Sequence, residues 1–194
     1  MLNNLLEKYN VILGSLSPRR KELLTDTGVK FTIKKINKEE KYPNTLKDKD
    51  IAKFLAKQKA SYLANQLKTD DLLITADTIV TLNNIVFNKP KDNNNAFNML
   101  SQLSGNTHKV ITGICIKTQN KELLFSDTTL VTFKKLLNEE INFYINNYNP
   151  LDKAGGYGIQ DWIGKVGVTS IKGSYTNVIG LPLAKLFENL KKIK

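Results

Sequence analysis

The chain has 194 residues, of which 41% are hydrophobic and 24% are charged. A domain of this length buries about 70% of the surface that its unfolded chain exposes, so its core needs no disulfide or metal. Its one cysteine, Cys115, excludes an intrachain disulfide. No apolar run approaches the roughly 20 residues of a membrane helix, and the first residues lack the pattern of a secretory signal. We therefore expect a soluble, cytoplasmic protein with no membrane partner.

The formal net charge is +11, which leaves three interpretations open. Lysine and arginine attract the phosphates of nucleic acid, they bind small phosphate-rich ligands, or they form a solvated surface. The lysines are scattered, with no long basic run and no interleaved aromatic residues of the stacking kind. The pattern disfavours nucleic acid as the main partner.

Strand and helix patterns alternate along the chain, which predicts an α/β fold. Strands are predicted at 11–13, 31–36, 72–80, 85–87, 110–117 and 123–133. Helices are predicted from Ser17 to before Gly28 and at 51–67, 92–103, 139–148 and 183–192. Asn83-Asn84 is typical of a tight hairpin turn, Asn138 is a favoured helix cap, and 154–158 is a glycine-rich loop.

The first helix begins with Ser17-Pro18-Arg19-Arg20, in which Ser17 suits the cap and Pro18 the first helical position. A helix start offers free backbone N–H groups to an anion, and two guanidinium groups add forked donors that match phosphate oxygens. The alternative is a solvated basic first turn, although the helix dipole disfavours cations there. The glycine spacing of a P-loop or a dinucleotide fingerprint is missing.

Asp77 lies within an otherwise apolar strand, where an unpaired charge is costly. It is either a structural residue at a strand end or it faces a cation. Lys59 lies on the helix stripe that contains Ile51, Leu55 and Tyr62, so its ammonium either reaches solvent or meets an anion. Cys115 is interpreted as an inert buried thiol.

Residues 152–160 form a glycine loop that ends in the amide of Gln160, which can read a base edge or orient a water molecule. Lys89-Pro90 follows the predicted hairpin. The single histidine, His108, excludes a histidine-rich zinc site and is expected to do no chemistry. Any metal would be held by Asp and Glu oxygens and by substrate phosphates, as Mg²⁺ usually is.

Taken in order, these stretches resemble the Maf family of nucleoside triphosphate pyrophosphatases, once described as septum-formation inhibitors. The resemblance covers nearly the whole chain. The matching stretches are Ser17-Pro18-Arg19-Arg20, Glu39-Glu40, Lys59-Ala60, Asp77-Thr78, Lys89-Pro90, the turn Leu103-Ser104-Gly105-Asn106-Thr107-His108, residues 152–160, Gly173-Ser174-Tyr175 and Gly180-Leu181-Pro182.

The resemblance implies one Maf-like domain over residues 1–194, with a mixed twisted sheet flanked by helices and two lobes separated by a cleft. Tyr157-Gly158-Ile159-Gln160 is similar to the branch that hydrolyses dTTP and UTP, and modified pyrimidine nucleotides are further candidates. The branch acting on methylated GTP typically has a glutamate near this glutamine.

The resemblance also implies roles for single residues. Asp77 would accept a proton from the attacking water, hold a divalent Mg²⁺ or Mn²⁺ ion, or do both, and Glu40 would help to coordinate the ion. The triphosphate would be bound by Arg19, Arg20, Lys59 and Lys89, with Ser17 as a further substrate-binding residue. Substrate choice would depend on Arg19, Thr78 and Gln160.

The chain departs from the family pattern at Lys34-Lys35 and Lys38, ahead of the acidic pair, and at Asp161-Trp162, after the glutamine. The second departure would reshape the base pocket. The rival hypothesis is a non-enzymatic basic regulator of cell division or a nucleic-acid-binding protein. We expect a nucleoside triphosphate as the partner, no specific nucleic acid, and a homodimer as a further option.

Overall fold

The computed structural model describes residues 6–36, 38 and 41–193. The strands in these ranges are β1 (Asn10–Leu13), β2 (Thr32–Ile33), β3 (Asp71–Leu82), β4 (Ile85–Phe87), β5 (Thr107–Lys117), β6 (Glu122–Phe133) and β7 (Val168–Lys172). The α-helices are α1 (Pro18–Thr25), α2 (Lys49–Ala64), α3 (Asn93–Leu103), α4 (Asn138–Tyr148), α5 (Trp162–Gly167), α6 (Tyr175–Ile179) and α7 (Leu183–Leu190), and two 3₁₀ turns span Pro150–Asp152 and Ala154–Gly156.

The seven strands form one mixed sheet in the order β2-β1-β3-β5-β6-β7, with β4 also paired to β3. Strand β1 is parallel to β2 and to β3, whereas β4 is antiparallel to β3 and β7 to β6. Asn83 and Asn84, between β3 and β4, have φ of 50° and 66°, as a two-residue hairpin turn requires. The α/β class and this hairpin confirm the sequence predictions.

The chain divides into two compact units. The first comprises the described residues up to Asp77, Thr112–Asp127 and the described residues from Gly180 onward, and the second comprises Thr78–Ile111 and Thr128–Ile179. The cleft between two lobes stays a prediction. No helix in the described ranges is long and apolar enough to span a bilayer.

The core of the first unit lies where α2 packs on the sheet through small residues. Ala56, Ala60 and Cys115 are fully buried in one apolar cluster with Ile12 and Leu73. Burial raises the pKa of the Cys115 thiol to about 12, so the prediction of a buried, inert thiol is confirmed.

The close approach of α2 to β5 explains one glycine and corrects one prediction. A Cβ added to Gly113 would lie 2.2 Å from the carbonyl of Ala52, so this strand position has room only for glycine. The predicted stripe of α2 is correct for Ile51 and Leu55 but wrong for Tyr62, which is 37% exposed.

The structure differs from the predicted elements in several places. The strand expected at 31–36 is reduced to β2, and β7, α5 and α6 were not anticipated. Asn138 is the first helical residue rather than the cap, because α4 begins after Leu137. The Leu137 N–H donates to the Glu140 carboxylate at 2.9 Å, so the side chain of Glu140 provides an acceptor for a backbone N–H at the helix start.

The core of the second unit contains an aromatic cluster of His108, Phe133 and Tyr157, with ring centroids 5.0–5.4 Å apart. The Nε2 atom of His108 is 2.7 Å from the Tyr157 hydroxyl, and the His108 side chain is buried in β5. Burial lowers the pKa of His108 from 6.5 to about 4, so the imidazole is neutral at pH 7.

This burial predicts a specific loss of stability in acid. The imidazole of His108 becomes protonated near pH 6.5 in the unfolded chain but only near pH 4 in the folded chain. Its contribution to the free energy of unfolding is therefore complete above pH 6.5 and is lost as the pH falls toward 4. By pH 4.5 the loss attributable to this residue is about 2–3 kcal/mol.

Urea unfolding at pH 7 and pH 4.5 checks this, with His108→Gln as the control that keeps all the carboxylates. The control is expected to lose less stability between the two pH values than the wild type. NMR gives a direct reading, because the chain has one histidine. An imidazole that titrates near 6.5 in the folded protein contradicts the prediction.

Candidate active site

The parallel pairing of β1 with β3 brings two predicted site segments to one edge of the sheet. Leu13 lies opposite Ile74, and the Gly14 N–H donates to the Ile74 carbonyl at 2.8 Å. Beyond this pair, β1 continues into the turn before α1, and β3 continues to Asp77. Ligands of α/β sheets bind beyond the carboxyl ends of parallel strands, so this edge of the first unit is the candidate site.

Gly14 permits this turn to lie directly against β3. A Cβ at this position would lie 2.7 Å from the Thr75 Cγ2 atom and 3.2 Å from the Ile36 Cδ1 atom. The glycine that ends the first apolar run is therefore needed for close packing between the turn and the neighbouring strand.

The start of α1 confirms the predicted cap. Ser17 is the N-cap, with its Oγ accepting from the Arg20 N–H at 3.5 Å, and Pro18 is the first helical residue. The first turn contains no acidic residue. The helix start therefore presents its N–H groups together with two guanidinium groups, a combination that suits an anion.

The guanidinium of Arg20 is held by the protein rather than simply solvated. Its Nε donates to the Gly180 carbonyl at 2.8 Å and one Nη donates to the Ser15 Oγ at 3.3 Å. Both Arg19 and Arg20 are half-buried. These contacts fix Arg20 at the helix start, so the alternative of a solvated basic turn does not describe this residue. Phosphate binding by Arg19, Arg20 and Ser17 stays a prediction.

Asp77 faces a cation, and the cation is Lys59. Thr75 and Asp77 lie on the face of β3 that meets α2, where the Thr75 hydroxyl donates to the Ala56 carbonyl at 2.7 Å. The Lys59 ammonium donates to Asp77 Oδ1 at 2.5 Å, and the two side chains are 12% and 8% exposed. Because β3 continues to Leu82, Asp77 is not at a strand end. The structure thus joins two predicted catalytic residues in one buried ion pair.

Of two further predicted residues, the structure describes only Thr78. Thr78 follows Asp77 in β3, and because side chains alternate along a strand, it faces the opposite side of the sheet. Glu40, predicted to help hold the metal, lies outside the described residues, as does Glu39.

Asp77 is a carboxylate at this edge that could hold a divalent metal. The described residues contain no cluster of three or more His, Cys, Asp or Glu side chains that would form an all-protein metal site. Mg²⁺ is usually held by one or two carboxylates together with substrate phosphates and water, and Asp77 supplies one such carboxylate. This described carboxylate therefore fits a metal that substrate phosphates and water help to hold.

The second unit brings the Lys89 segment to the glycine loop. The Gly155 N–H donates to the Asn88 carbonyl at 3.2 Å, and a Cβ on Gly156 would lie 3.6 Å from the Pro90 ring. Gly155 and Gly156 have φ of 73° and 72°, a conformation that favours glycine. The Lys89 side chain is exposed and forms no ion pair with any residue that the structure describes.

Gln160 lies in a tight turn that follows this loop. The Asp161 N–H donates to the Gly158 carbonyl at 3.1 Å, which closes the turn across Ile159 and Gln160. The Gln160 side chain is half-buried and makes no hydrogen bond within the described part of the chain. Its amide is thus available to a ligand, and both of its predicted uses, base reading and water orientation, stay open.

A buried phenol connects the two ends of this turn. The Tyr144 hydroxyl donates to Asp161 Oδ2 at 2.6 Å and accepts from the Gly158 N–H at 3.0 Å. Burial and the bond to Asp161 raise the pKa of Tyr144 well above its ordinary value, so the phenol keeps its proton. The sequence did not reveal this contact, because Tyr144 has the spacing of a core residue of α4 and lies 17 residues from Asp161.

Lys59 and Asp77 are expected to depend on each other for stability. Breaking a buried ion pair by removing one partner is strongly destabilising, so Lys59→Gln and Asp77→Asn should each lower the free energy of unfolding by roughly 3 kcal/mol. The double variant should lose less than the sum of the two.

Chemical denaturation of the four proteins measures this coupling. Lys53→Gln is the matched control, since Lys53 pairs with Asp50 on the same helix but with 30% and 50% of the side chains exposed. It should change stability by less than about 1 kcal/mol. Additive losses at Lys59 and Asp77 would show that the two charges are not coupled.

Comparison with known proteins places the chain in a family. The family model described as Maf-like protein matches residues 10–193. The dTTP/UTP pyrophosphatase of Phocaeicola vulgatus is 52% identical over 194 residues, which is 100% of both chains. The dTTP/UTP pyrophosphatase of Flavobacterium psychrophilum is 48% identical over 96% of each chain, and that of Bacteroides fragilis strain YCH46 is 46% identical over 100% of each. The chain therefore belongs to the Maf-like family, as its motifs predicted.

Proposed function

We propose that the protein hydrolyses dTTP and UTP to the nucleoside monophosphate and pyrophosphate. The observation that carries this proposal is one edge of the first unit. There the start of α1, with Arg19 and Arg20, follows β1, and the Lys59–Asp77 pair lies just beyond the segment of β3 that is paired to β1. The names of the relatives, dTTP/UTP pyrophosphatases at 46–52% identity, support it.

The residues at this edge suit phosphoryl transfer to water. The triphosphate binds at the N–H groups of α1 and at the two arginines, which neutralise the charge that develops on the phosphate oxygens. Water attacks the α-phosphorus and forms a new P–O bond, while the bond from the α-phosphorus to the bridging oxygen breaks and pyrophosphate leaves. The proton of the water passes to the Asp77 carboxylate, which Lys59 holds in place.

A divalent cation, Mg²⁺ or Mn²⁺, would supply charge neutralisation on the phosphates when it is bound. Asp77 would hold it, together with Glu40 and the substrate oxygens. Asp77 serves either as the proton acceptor, as a metal ligand, or as both, and the product assay below includes a test of the metal.

Three predicted residues that lie in the second unit are proposed to select the substrate. Lys89 is an exposed cation next to the glycine loop and is proposed to bind a phosphate group. The Gln160 amide has donors and an acceptor that suit the imide edge shared by uracil and thymine, which explains why one site takes both bases. Thr78 is proposed to contribute to substrate choice from the opposite face of β3. Modified pyrimidine nucleotides, a cytoplasmic location and a homodimer remain predictions from the sequence.

The products identify the bond that is cleaved. Incubation of UTP and dTTP with the protein and Mg²⁺ or Mn²⁺ should release pyrophosphate and a monophosphate, and EDTA should abolish the reaction. Asp77→Asn should lower kcat by about 100-fold, with its folding checked by circular dichroism because the ion pair is lost.

Two outcomes would contradict the proposal. Orthophosphate and a nucleoside diphosphate as products would show cleavage at the other anhydride bond. A tight, sequence-selective complex with nucleic acid at physiological salt, without turnover, would favour the non-enzymatic alternative.

Gln160 should affect the choice of base more than bond cleavage. Gln160→Glu replaces the amide donors by a carboxylate, so kcat/KM should fall about tenfold or more for UTP and dTTP and less for GTP. Steady-state kinetics on UTP, dTTP, CTP and GTP measures the ratios. An equal loss on every nucleotide would instead indicate that Gln160 orients the water or a phosphate.

A further inference from the structure

We propose that Tyr144 and Asp161 are positioning residues that fix the turn carrying Gln160, and that they thereby set the preference for uracil and thymine. The inference rests on the proposed function, since it concerns the base that Gln160 is proposed to recognise. Neither residue belongs to the motifs that resemble the family, and Asp161 is one of the positions where the chain departs from the family pattern.

The first step is that one phenol holds both ends of the turn. Tyr144 is fully buried, and its hydroxyl bonds the Gly158 N–H on one side and the Asp161 carboxylate on the other. A hydroxyl with one donor and one acceptor partner, both within 3.0 Å, fixes the distance between residues 158 and 161.

The second step is that the turn has little room to shift. A Cβ added to Gly158 would lie 2.5 Å from Asp161 Oδ2 and 3.1 Å from Lys153 Cε, so both side chains lie directly over this glycine. The Lys153 ammonium is 3.6 Å from Asp161 Oδ2 and 2.9 Å from Asp152 Oδ1. Tyr157, the residue before Gly158, is also held in place, because its hydroxyl lies 2.7 Å from His108 Nε2.

The third step concerns Gln160 itself. Its side chain is half-buried and makes no hydrogen bond with the other described residues, so the position of the amide depends on the main chain of this turn rather than on a polar side-chain partner. A hydrogen bond to a base edge weakens when its donor moves by a fraction of an ångström. Loss of the Tyr144 anchor therefore weakens recognition of the preferred bases more than binding of the phosphates, which every nucleotide shares.

The test compares two identical changes on one helix. Tyr144→Phe keeps the ring and removes the anchoring hydroxyl. Tyr148→Phe is the matched control, because Tyr148 stacks on Tyr144 with centroids 5.4 Å apart, is 39% exposed, and makes no side-chain hydrogen bond in the described ranges.

The expected result is a change in selectivity, not only in activity. Tyr144→Phe should lower kcat/KM for UTP and dTTP by about tenfold, the effect of one lost hydrogen bond, mainly through KM. The loss for GTP should be smaller, and Tyr148→Phe should resemble the wild type on all substrates. Asp161→Asn keeps an acceptor for the phenol and should retain more of the selectivity than Asp161→Ala.

A double variant shows whether Tyr144 acts through Gln160. In a Gln160→Ala background, Tyr144→Phe should cause no further change in the ratio of UTP to GTP. The positioning role would be overturned if Tyr144→Phe lowered kcat/KM equally for all nucleotides, or if it left the ratio of UTP to GTP unchanged. A merely structural role of Tyr144 would give those results together with a lower melting temperature.

Hydrogen exchange tests whether the Tyr144 hydroxyl anchors the turn, independently of the proposed function. The amide of Gly158 should exchange faster in Tyr144→Phe than in Tyr148→Phe or the wild type, whether or not the protein turns over nucleotides. Unchanged exchange would overturn the anchor itself. A wild-type protein that does not discriminate between nucleotides, or a uniform loss in Gln160→Glu, would overturn the proposed base recognition and with it this inference, even if the amide exchange responds as expected.

Discussion

Strands β1 and β3 run parallel with Leu13 opposite Ile74, and each chain segment continues from this pair to charged residues. The turn at Gly14 reaches the start of α1 within a few residues, while β3 runs on to Asp77. A shift of one residue in β3 would turn Asp77 away from α2 and leave Lys59 without its carboxylate, because side chains alternate along a strand. The register of β1 against β3 and the close packing of Gly14 on Thr75 therefore determine where the charged residues of this candidate site lie.

The buried pair of Lys59 and Asp77 is difficult to explain by stability alone. Removing two charges from water costs several kcal/mol per ion, and apolar residues of similar volume are often as stabilising as a buried ion pair. The surroundings in this unit are apolar, with Ala56 and Ala60 fully buried on the same helix. A polar pair in such a place is the kind of local exception that marks a functional site, and it agrees with the proposed role of Asp77.

The sequence was sufficient where one short stretch determines the structure. The cap at Ser17, the proline at the first helical position and the two asparagines of the hairpin depend on neighbouring residues, and all were predicted. The sequence was insufficient where the local structure depends on a distant or unexpected side chain. Glu140 satisfies the start of α4, which local preference assigned to Asn138. The same is true of the candidate site. The helical periodicity of α2 indicated that Lys59 needs an anion or solvent, but not that its partner is Asp77, 18 residues away. Tyr144 gave no signal, because its spacing is that of an ordinary core position.

A side chain that recognises a base must keep its hydrogen-bonding groups available to the ligand, so the protein has to place it through neighbouring residues. Gln160 fits this description, and the neighbours that hold its turn are buried polar groups. A buried hydroxyl is costly unless it is bonded, so Tyr144 specifies one arrangement of Gly158 and Asp161, whereas a phenylalanine would tolerate several. The same reasoning applies to Tyr157, whose hydroxyl meets His108. In the proposed arrangement Gln160 supplies the chemistry of recognition, while two buried phenols, Tyr144 outside the motif and Tyr157 within it, supply the geometry. The proposal predicts that family members with the same glutamine differ in substrate preference where these supporting residues differ.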